Sequence, residues 1–598
     1  MNDKINWSKC IKQFLHYASP YSKKLLIAII ALVLSTGIYA MNPSIEGSIT
    51  TQLMKDASEI AKGVAGAHIH FDIVIRIIGI LAICYTTRAA LLLTSSFLLT
   101  NAIQSTMHDL RNALQQKIQR LPVRYFDNRA FGDVLSTVTN DVDTLSNALQ
   151  QTFTKAVTGC LTFILALGMM FRINWKMACV ALIIIPLTAF ITKIFVGRSQ
   201  RLFQIQQKTV GELNGTITEL YGGFNEILLY NKQEDAKKQF EEVNVRMANS
   251  AFKAQFVSAL ISPCISLVTY LTIGSVAVLG CIFVIQGTIS VGNLQAFIRY
   301  IWQINDPLSQ VSQLSAQIQS AFAAMGRIFS LLNEEEEEQK GTVEVNEKEM
   351  KGNVSFEHVQ FGYSDELLMK DVNFDVKSGQ MVAIVGPTGA GKTTLMNLLL
   401  RFYDVKGGSI KIDGVDIRDM DRSKLHSLFS LVLQDTWLFH GSIYDNIRYG
   451  RLEARKDEVI DAAKMANVHH FIRTLSHGYD SIINEEANNI SQGEKQLLTI
   501  ARAILKDPQI LILDEATSSV DTRLERMLQD AMQKVMKGRT SFVIAHRLST
   551  IKNADLILVV QDGNIIEQGN HEQLLEKKGF YEKLYHSQFA GQNFDEVC

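Results

Sequence analysis

The sequence predicts a chain in two parts, an α-helical membrane domain with six transmembrane helices and long cytoplasmic extensions, followed by an α/β domain. Long apolar segments recur as far as about residue 320, each near or above the roughly 20 residues needed to cross the hydrocarbon layer. Beyond an acidic run at 334–338, short β-rich runs alternate with helical patterns, as in domains with a mainly parallel sheet. We therefore divide the chain into a membrane domain at 1–330, an acidic linker at 331–352 and an α/β domain at 353–598.

We expect six membrane spans, at Leu25–Met41, Phe71–Leu99, Thr152–Phe171, Met177–Val196, Ala254–Ile285 and Val291–Gln319. A count of five would merge the third and fourth spans, but the polar stretch Arg172–Lys176 favours a tight turn between them. Basic residues crowd the N-terminus and the segments 107–129 and 198–253, which the positive-inside rule places in the cytoplasm. The outer loops are then 42–70, 172–176 and 286–290. The N-terminus and the α/β domain both lie in the cytoplasm.

Charge and cysteine content argue against nucleic-acid-binding, disulfide-rich and zinc-binding proteins. The 59 basic and 60 acidic residues nearly cancel, which gives no general reason to expect nucleic-acid binding. The 7 cysteines are odd in number and form no C-x-x-C pair, so neither a disulfide framework nor a zinc site is predicted. We interpret the acidic run at 334–338 as a solvated linker without a function of its own.

The segment Gly386–Thr393 has the pattern G-x-x-x-x-G-K-T, between a strand-like run at Met381–Val385 and an apolar helical pattern at Leu395–Leu400. Glycines allow backbone N–H groups to close around phosphate oxygens, Lys392 can reach the β and γ phosphates, and the Thr393 hydroxyl can hold Mg²⁺. An ordinary glycine turn is the alternative, which the preceding strand and following helix disfavour. The sequence therefore predicts a P-loop nucleotide-binding domain.

Two carboxylates follow the buried-type run Gln509–Leu513. The carboxyl edge of a parallel sheet is where nucleotides bind, so Asp514 is suited to coordinate Mg²⁺ and Glu515 to act as the general base that polarises water. In isolation such residues are more often part of a turn or a helix cap, but the nearby phosphate loop favours the catalytic interpretation.

The segment 488–496, with the sequence NNISQGEKQ, resembles the signature of the ATP-binding-cassette (ABC) family, whose usual form is L-S-G-G-Q. The Ser491 hydroxyl and the Gly493 N–H at a helix start would form an anion site for a γ-phosphate. Ser491 is also a good N-cap residue, with Glu494 completing a capping box. The two interpretations are compatible.

The resemblance covers the whole chain in order. It implies that Tyr363 stacks on adenine, that Gln434 connects the γ-phosphate and Mg²⁺ to the membrane part, that Asp521 belongs to the D-loop, and that His546 is the switch histidine at the γ-phosphate. ATP and Mg²⁺ are the implied cofactors, and ATP hydrolysis coupled to transport is the implied activity.

The site residues fall into three sets. The catalytic set is Glu515, His546 and Gln434, and the metal-binding set is Thr393, Gln434 and Asp514. The nucleotide-binding set is Tyr363, Gly386, Pro387, Thr388, Gly389, Ala390, Gly391, Lys392, Thr393, Thr394, Ser491, Gly493 and Asp521.

In the membrane half, Tyr125–Asp127, Gly132–Asp133 and Thr139–Asp143 resemble the first intracellular coupling region of exporter-type members, and Glu219–Glu226 lies where the second coupling helix is expected. Helix-capping and turn residues are the alternative for each. Six spans before one cassette resemble a half-transporter of the exporter class, as in one subunit of a bacterial heterodimeric multidrug or lipid exporter. The resemblance implies export of an amphipathic drug or lipid across the cytoplasmic membrane. An ATP-gated channel or sensor subunit is the alternative.

The signature departs from the family pattern at Ile490, Gln492 and Glu494. An acid near a triphosphate should weaken the contact, unless the carboxylate turns outward or pairs with Lys495. In this family the signature of one subunit faces the phosphate loop of the other. An intact Glu515 with a modified signature therefore resembles one subunit of a heterodimer with unequal sites, and a homodimer with two variant signatures is the alternative.

The second expected span contains Arg76 and Arg88, and the sixth contains Arg299 and Asp306. Each charge at mid-membrane costs at least about 2.5 kcal/mol, so these side chains should face water or each other. A polar and aromatic face at helical spacing in the sixth span is formed by Arg299, Tyr300, Trp302, Gln303 and Asp306. We expect this face to line the translocation path, with an interhelical ion pair or an interfacial anchor as the alternative.

Overall fold

The computed structural model describes residues 7–127, 129–339, 341–343, 345–347, 349–433, 436–484, 489–514, 522–545 and 547–589. The chain divides into two compact units. The first comprises Met1–Gln119 and Ala130–Glu334, and the second comprises Arg120–Arg129 and Glu335–Cys598. The short segment Arg120–Arg129 therefore belongs to the same unit as the α/β domain, although it lies far from it in the sequence.

The elements described between residues 7 and 332 are all helices. They are α1 (Trp7–Ala18), α2 (Ser22–Ala61), α3 (Phe71–Ile118), α4 (Val123–Asp127), α5 (Phe131–Ser136), α6 (Val142–Asn147), α7 (Thr154–Ile173), α8 (Trp175–Ala181), α9 (Ile184–Gly222), α10 (Phe224–Leu229), α11 (Gln233–Ala259), α12 (Ile261–Ile285) and α13 (Val291–Leu332). A 3₁₀ turn at Ser19–Tyr21 precedes α2, and π-helical turns at Thr137–Asp141 and Ala148–Phe153 connect α5, α6 and α7. Of these helices, only α4 lies in the second unit.

Five helical stretches among the described residues have the length and apolar composition needed to cross a membrane, namely Trp7–Ala61, Phe71–Ile118, Phe131–Ile173, Trp175–Gly222 and Gln233–Ile285. Each carries one of the first five predicted spans. The sixth predicted span falls on α13, which has 42 residues and is more polar. This helical first unit and the α/β second unit confirm the predicted fold class.

The turn between the third and fourth spans is formed by Asn174. Its side chain accepts hydrogen bonds from the backbone N–H groups of Lys176 and Met177, at 3.0 and 3.1 Å, and so caps α8. Because α7 ends at Ile173 and α8 begins at Trp175, the two spans are separate helices. The alternative that merges them is wrong.

The prediction that 42–70 is a loop is wrong for residues 42–61, because α2 continues through Pro43 to Ala61. Polar side chains on this continuation bond to the helix that carries the sixth span: Ser44 lies 2.8 Å from the Tyr300 hydroxyl, and Thr51 lies 3.0 Å from Ser290. Gly47 and Gly292 bring the backbones of α2 and α13 together, since a methyl group built on Gly47 would lie 2.3 Å from the Gly292 carbonyl oxygen. Small residues permit such close approach between membrane helices.

Twelve strands lie among the described residues of the second unit. They are β1 (Val354–Phe361), β2 (Met369–Val376), β3 (Met381–Val385), β4 (Gly407–Ile412), β5 (Val415–Asp416), β6 (Phe429–Val432), β7 (Gly441–Ser442), β8 (Ile482–Ile483), β9 (Ile510–Asp514), β10 (Thr540–Ile544), β11 (Leu556–Gln561) and β12 (Asn564–Gly569). The helices are α14 (Lys392–Leu399), α15 (Arg422–Ser427), α16 (Ile443–Arg448), α17 (Lys456–Met465), α18 (His469–Thr474), α19 (Gln492–Lys506), α20 (Thr522–Met536), α21 (Leu548–Lys552), α22 (His571–Glu576) and α23 (Phe580–Phe589), with a 3₁₀ turn at Gly478–Asp480.

Two larger sheets organise this unit. One has six strands in the order β12-β11-β3-β10-β9-β6, parallel except for the edge strand β12, and the other has four antiparallel strands in the order β2-β1-β4-β5. Ile544 at the end of β10 pairs with Ile384 on one side and with Asp514 on the other. The ends of β3 and β9 therefore lie at the same edge of the sheet, about 10 Å apart across β10.

The acidic run is not simply solvated, which corrects the interpretation given above. Glu337 is 17% exposed and its carboxylate lies 3.1 Å from the guanidinium of Arg422, which is itself 4% exposed. Burial raises the pKa of the Glu337 carboxyl, and the charge of Arg422 acts in the opposite direction. Arg422 also donates to the Glu338 carbonyl at 2.9 Å and to the Arg401 carbonyl. A buried arginine needs such partners, which explains why the linker lies against the domain.

We expect Arg422→Ala to lower the stability of this unit by about 3 kcal/mol, because it leaves the Glu337 carboxylate half-buried without its counter-ion. Thermal unfolding of the purified chain measures the effect. Lys464→Ala is the control, since Lys464 and its partner Asp461 are both more than half exposed and such pairs contribute about 0.5 kcal/mol or less. Equal unfolding temperatures for the two variants would contradict the role given to Arg422.

Candidate functional site

The phosphate loop lies between the end of β3 at Val385 and the start of α14 at Lys392. A methyl group built on Gly386 would lie 2.2 Å from the carbonyl oxygen of Val560 in β11, so only glycine fits there. Gly391 caps α14 in the left-handed conformation, with φ of 101°. The Ala390 carbonyl accepts a 2.9 Å hydrogen bond from the N–H of Gly563. The loop is thus fixed to β11 and to the turn that follows it.

The Lys392 ammonium lies over this loop. Its Nζ donates to the carbonyl of Gly386 at 2.8 Å and to that of Pro387 at 3.0 Å. Burial lowers the pKa of Lys392, and the carboxylate of Asp514 acts in the opposite direction. Asp514 ends β9, at the same edge of the sheet as the phosphate loop after β3.

Tyr363 lies beside the first turn of α14. Its hydroxyl is 3.1 Å from the Thr394 hydroxyl, and 48% of the residue is exposed. Its ring meets the rings of Phe361 and Tyr403 edge to face, with centroids 5.1 Å away in each case. An exposed aromatic ring held next to the phosphate loop can stack on a nucleobase.

Ser491 and Glu494 form the predicted capping box at the start of α19, which is confirmed. Glu494 Oε2 accepts from the Ser491 N–H at 2.8 Å and from the Ser491 hydroxyl at 2.7 Å. The carboxylate thus neither turns outward nor pairs with Lys495, but turns back onto the serine. A negative charge lies at the position where the family has a neutral glutamine, and it holds the serine proton.

The structure does not test every predicted residue. Gln434, Glu515, Asp521 and His546 lie outside the described residues, so their roles stay predictions. Among the described members of the set, Thr393 is exposed on the first turn of α14, next to Lys392.

Glu46 on α2 contacts Tyr85 and Arg299, and it was not predicted as a site residue because the sequence places it in an outer loop. Glu46 accepts a 2.7 Å hydrogen bond from the Tyr85 hydroxyl and lies 3.9 Å from Arg299. The guanidinium of Arg88 lies 4.0 Å from the ring centroid of Tyr39. An interhelical ion pair, the alternative interpretation of Arg299, therefore exists, and its acid comes from α2.

The expectation that Tyr300 lines an open path is wrong. Tyr300 is fully buried, and its hydroxyl donates to the Ala40 carbonyl at 2.9 Å, so it joins α13 to α2. Gln303 is also buried and donates to the Tyr39 carbonyl at 3.3 Å. Trp302 packs edge to face on Tyr270. The Asp306 side chain lies outside the described residues, and Arg299 is the exposed member of the set.

Comparison with known proteins agrees with this site. The model of the ABC transporter transmembrane region matches residues 25–308, and that of the ABC transporter cassette matches residues 369–518. A fatty acid ABC transporter ATP-binding/permease protein of Mycobacterium tuberculosis is 44% identical over 522 residues, which are 87% of this chain and 82% of that protein. An ATP-dependent lipid A-core flippase of Syntrophus aciditrophicus is 35% identical over 491 residues, 81% of each chain.

A third relative, a proposed multidrug export ATP-binding/permease protein of Staphylococcus aureus, is 34% identical over 584 residues, 96% of this chain and 99% of that protein. Together the matched models cover most of the chain, so it belongs to the ABC transporter family. It is an exporter-type half-transporter, a multi-pass membrane protein that binds ATP and couples its hydrolysis to transport.

We expect Lys392→Ala to reduce ATP hydrolysis by about 10²-fold or more, because it removes the fixed positive charge of the phosphate loop. The phosphate-release rate of the purified transporter measures this. Lys377→Ala, which changes an exposed lysine after β2, is the matched control and should hydrolyse ATP at the wild-type rate. Full activity of Lys392→Ala would contradict the assignment of the loop.

Proposed function

We propose that this chain is one half of a dimeric pump that exports an amphipathic lipid or drug-like compound across the cytoplasmic membrane. The observation that supports it most is the fixed loop at Gly386–Gly391 with the Lys392 ammonium over it, at the same edge of the sheet as Asp514, where a triphosphate would bind. The site fits Mg²⁺-ATP, since the Lys392 ammonium, the Thr393 hydroxyl and the Asp514 carboxylate belong to residues at the same edge of the sheet. The names of the relatives, which include fatty acid, lipid A-core and multidrug transport, support the substrate class.

In this proposal Mg²⁺ is held by Thr393, Asp514 and Gln434, and when bound it neutralises charge that develops on the phosphate oxygens. Lys392 binds the β and γ phosphates, and Glu515 accepts a proton from the attacking water. His546 orients the γ-phosphate. The signature and the D-loop of a partner subunit supply the second half of this site. Ser491, Gly493 and Asp521 of this chain play the same roles at the partner's nucleotide.

The cluster around Glu46 is the proposed contact for the polar part of the substrate. Arg299 is 63% exposed at its side chain and lies only loosely against Glu46, at 3.9 Å. Arg88 adds a second positive charge nearby, over the ring of Tyr39. The surplus of positive charge favours an amphipathic compound whose head group carries a negative charge.

Transport in vesicles tests the pump against the channel alternative. We expect ATP to drive movement of a fluorescent fatty acid or amphipathic dye, and Glu515→Gln to stop both hydrolysis and movement while nucleotide stays bound, because the variant lacks the proposed base. Glu576→Gln, which neutralises an exposed acid at the end of α22, is the control and should transport normally. Flux that persists at the wild-type rate in Glu515→Gln would support a channel and reject the pump.

The acid in the signature supports a heterodimer with unequal sites, in which this chain supplies the hydrolysing residues of the competent site and its signature completes the weaker one. The Glu494 carboxylate holds the Ser491 proton and places a negative charge near the phosphates of the partner's nucleotide. A homodimer with two variant signatures is the second candidate.

Glu494→Gln tests the effect of this charge without unfolding the helix start, because glutamine can also accept the capping hydrogen bond. We expect at least about threefold tighter ATP binding at the site that this signature completes, since a unit charge in a water-exposed site contributes on the order of 1 kcal/mol. Titration with a fluorescent ATP analogue measures the change. Glu494→Ala controls for the cap, and it should destabilise α19 by about 1 kcal/mol.

Two outcomes would go against these ideas. Unchanged binding in Glu494→Gln would show that the carboxylate does not act on the nucleotide. A stable dimer of this chain alone, with full substrate-stimulated ATP hydrolysis, would reject the heterodimer.

A further inference from the structure

One side chain, that of Tyr403, contacts both α4 and the aromatic residue at the phosphate loop. Its hydroxyl donates to the Asp127 carboxylate at the end of α4. Its ring meets the Tyr363 ring edge to face, with centroids 5.1 Å apart and planes at 90°. Both contacts lie within the second compact unit, which contains Arg120–Arg129 and the cassette. Tyr403 thus bridges the predicted adenine-stacking residue and the predicted first coupling helix.

The position of Tyr403 is fixed by the residues on either side of it. The segment Arg401–Asp404 directly follows α14, the helix that begins at the phosphate loop. Arg401 is 4% exposed, and its guanidinium donates to the Asp404 carboxylate at 3.0 Å and to the Ile417 carbonyl at 3.0 Å. A displacement of α14 should therefore move Tyr403 as well, because the hydrogen bonds of Arg401 hold the segment that carries it.

The other end of Arg120–Arg129 is bound to the same segment by a second route. The Arg120 carbonyl accepts a 2.9 Å hydrogen bond from the Glu337 N–H, and the Glu337 carboxylate lies 3.1 Å from Arg422. Arg422 in turn donates to the Arg401 carbonyl and lies 3.5 Å from the Asp404 carboxylate. Both ends of the segment that carries α4 are thus bonded to residues 401–404, Asp127 directly and Arg120 through Glu337 and Arg422.

We propose that Tyr403 is a positioning residue that transmits nucleotide binding at Tyr363 to α4 through its hydrogen bond to Asp127. The inference rests on the proposed adenine contact of Tyr363. An adenine ring stacked on Tyr363 restricts that side chain, and the edge-to-face contact passes the restriction to Tyr403 and so to Asp127. Coupling of this kind is reciprocal in free energy, so a compound that moves α4 must also change the affinity for nucleotide.

Hydrogen–deuterium exchange of the full-length transporter in nanodiscs tests the proposal. The probe is the non-hydrolysable ATP analogue AMP-PNP with Mg²⁺. In the wild type we expect nucleotide to slow amide exchange both at 386–391 and at 120–129. In Tyr403→Phe, which keeps the ring but removes the hydroxyl, we expect protection at 386–391 to remain and protection at 120–129 to fall by about two- to thirtyfold, the range of coupling energies in such networks.

Three further variants sharpen the test. Asp127→Ala should reproduce Tyr403→Phe, and the double variant should lose no more protection than either single variant, because both remove the same bond. Asp127→Asn should restore the protection, since its amide oxygen can accept the phenol proton. Tyr581→Phe is the matched control, because it removes a buried tyrosine hydroxyl that bonds His571 instead.

The proposal for Tyr403 and the proposal of a pump are rejected by different outcomes. Unchanged protection at 120–129 in Tyr403→Phe would overturn it, even with nucleotide bound. Loss of protection at 386–391 in that variant would also overturn it, because Tyr403 would then be part of the nucleotide site itself. Failure of transport in vesicles would reject the pump but leave this exchange result standing.

Discussion

The contact between the phosphate loop and β11 is the constraint on which the cassette depends. Gly386 leaves no room for a side chain against Val560, and the turn after β11 binds the loop through the Gly563 N–H and the Ala390 carbonyl. A side chain on Gly563 would in turn meet the Leu368 carbonyl oxygen at 2.2 Å. The loop geometry is therefore set by the sheet, before any phosphate binds, and preorganised donors lose little entropy on binding.

The same loop controls what surrounds it through α14. At its first turn lie Lys392 and the Thr394 hydroxyl that contacts Tyr363, and just after its last turn lie Arg401 and Tyr403. The helix thus connects the phosphate end of the site to the residues that hold Arg120–Arg129. Two nearly buried arginines, Arg401 and Arg422, stabilise this connection, and each needs its carbonyl and carboxylate partners to offset the loss of water. Few contacts therefore separate Arg120–Arg129 from the phosphate loop, and under our proposal they connect substrate binding to hydrolysis.

Local patterns in the sequence were sufficient for much of the fold and part of the site. Five spans, the Asn174 turn, the phosphate loop and the Ser491 capping box follow from hydrophobic length, capping chemistry and glycine spacing, which act over a few residues. The expectation that Asp514 lies at the edge of the sheet that carries the phosphate loop followed from the rule that ligands bind at the carboxyl edge of parallel strands. These predictions needed no knowledge of distant contacts.

The predictions that failed concern residues whose surroundings are set by residues far away in the sequence. The acidic run looks solvated until Arg422, some eighty-five residues later, lies against Glu337. The outer part of α2 looks like a loop because its polar residues find their partners only on α13, as Ser44 does with Tyr300. Glu46 went unnoticed for that reason, although its spacing of four residues from Asn42 continues the helical pattern. The link from Tyr403 to Asp127 spans 276 residues and has no local sequence signal.

We propose that Gly386–Thr393 and Asp514 form half of a hydrolytic site, which another chain must complete. The most direct measurement is ATP hydrolysis in nanodiscs sorted by mass into those that hold one cassette and those that hold two. The account predicts hydrolysis only in discs with two cassettes, although single chains still bind nucleotide. Hydrolysis by single chains at the full rate per cassette would contradict it.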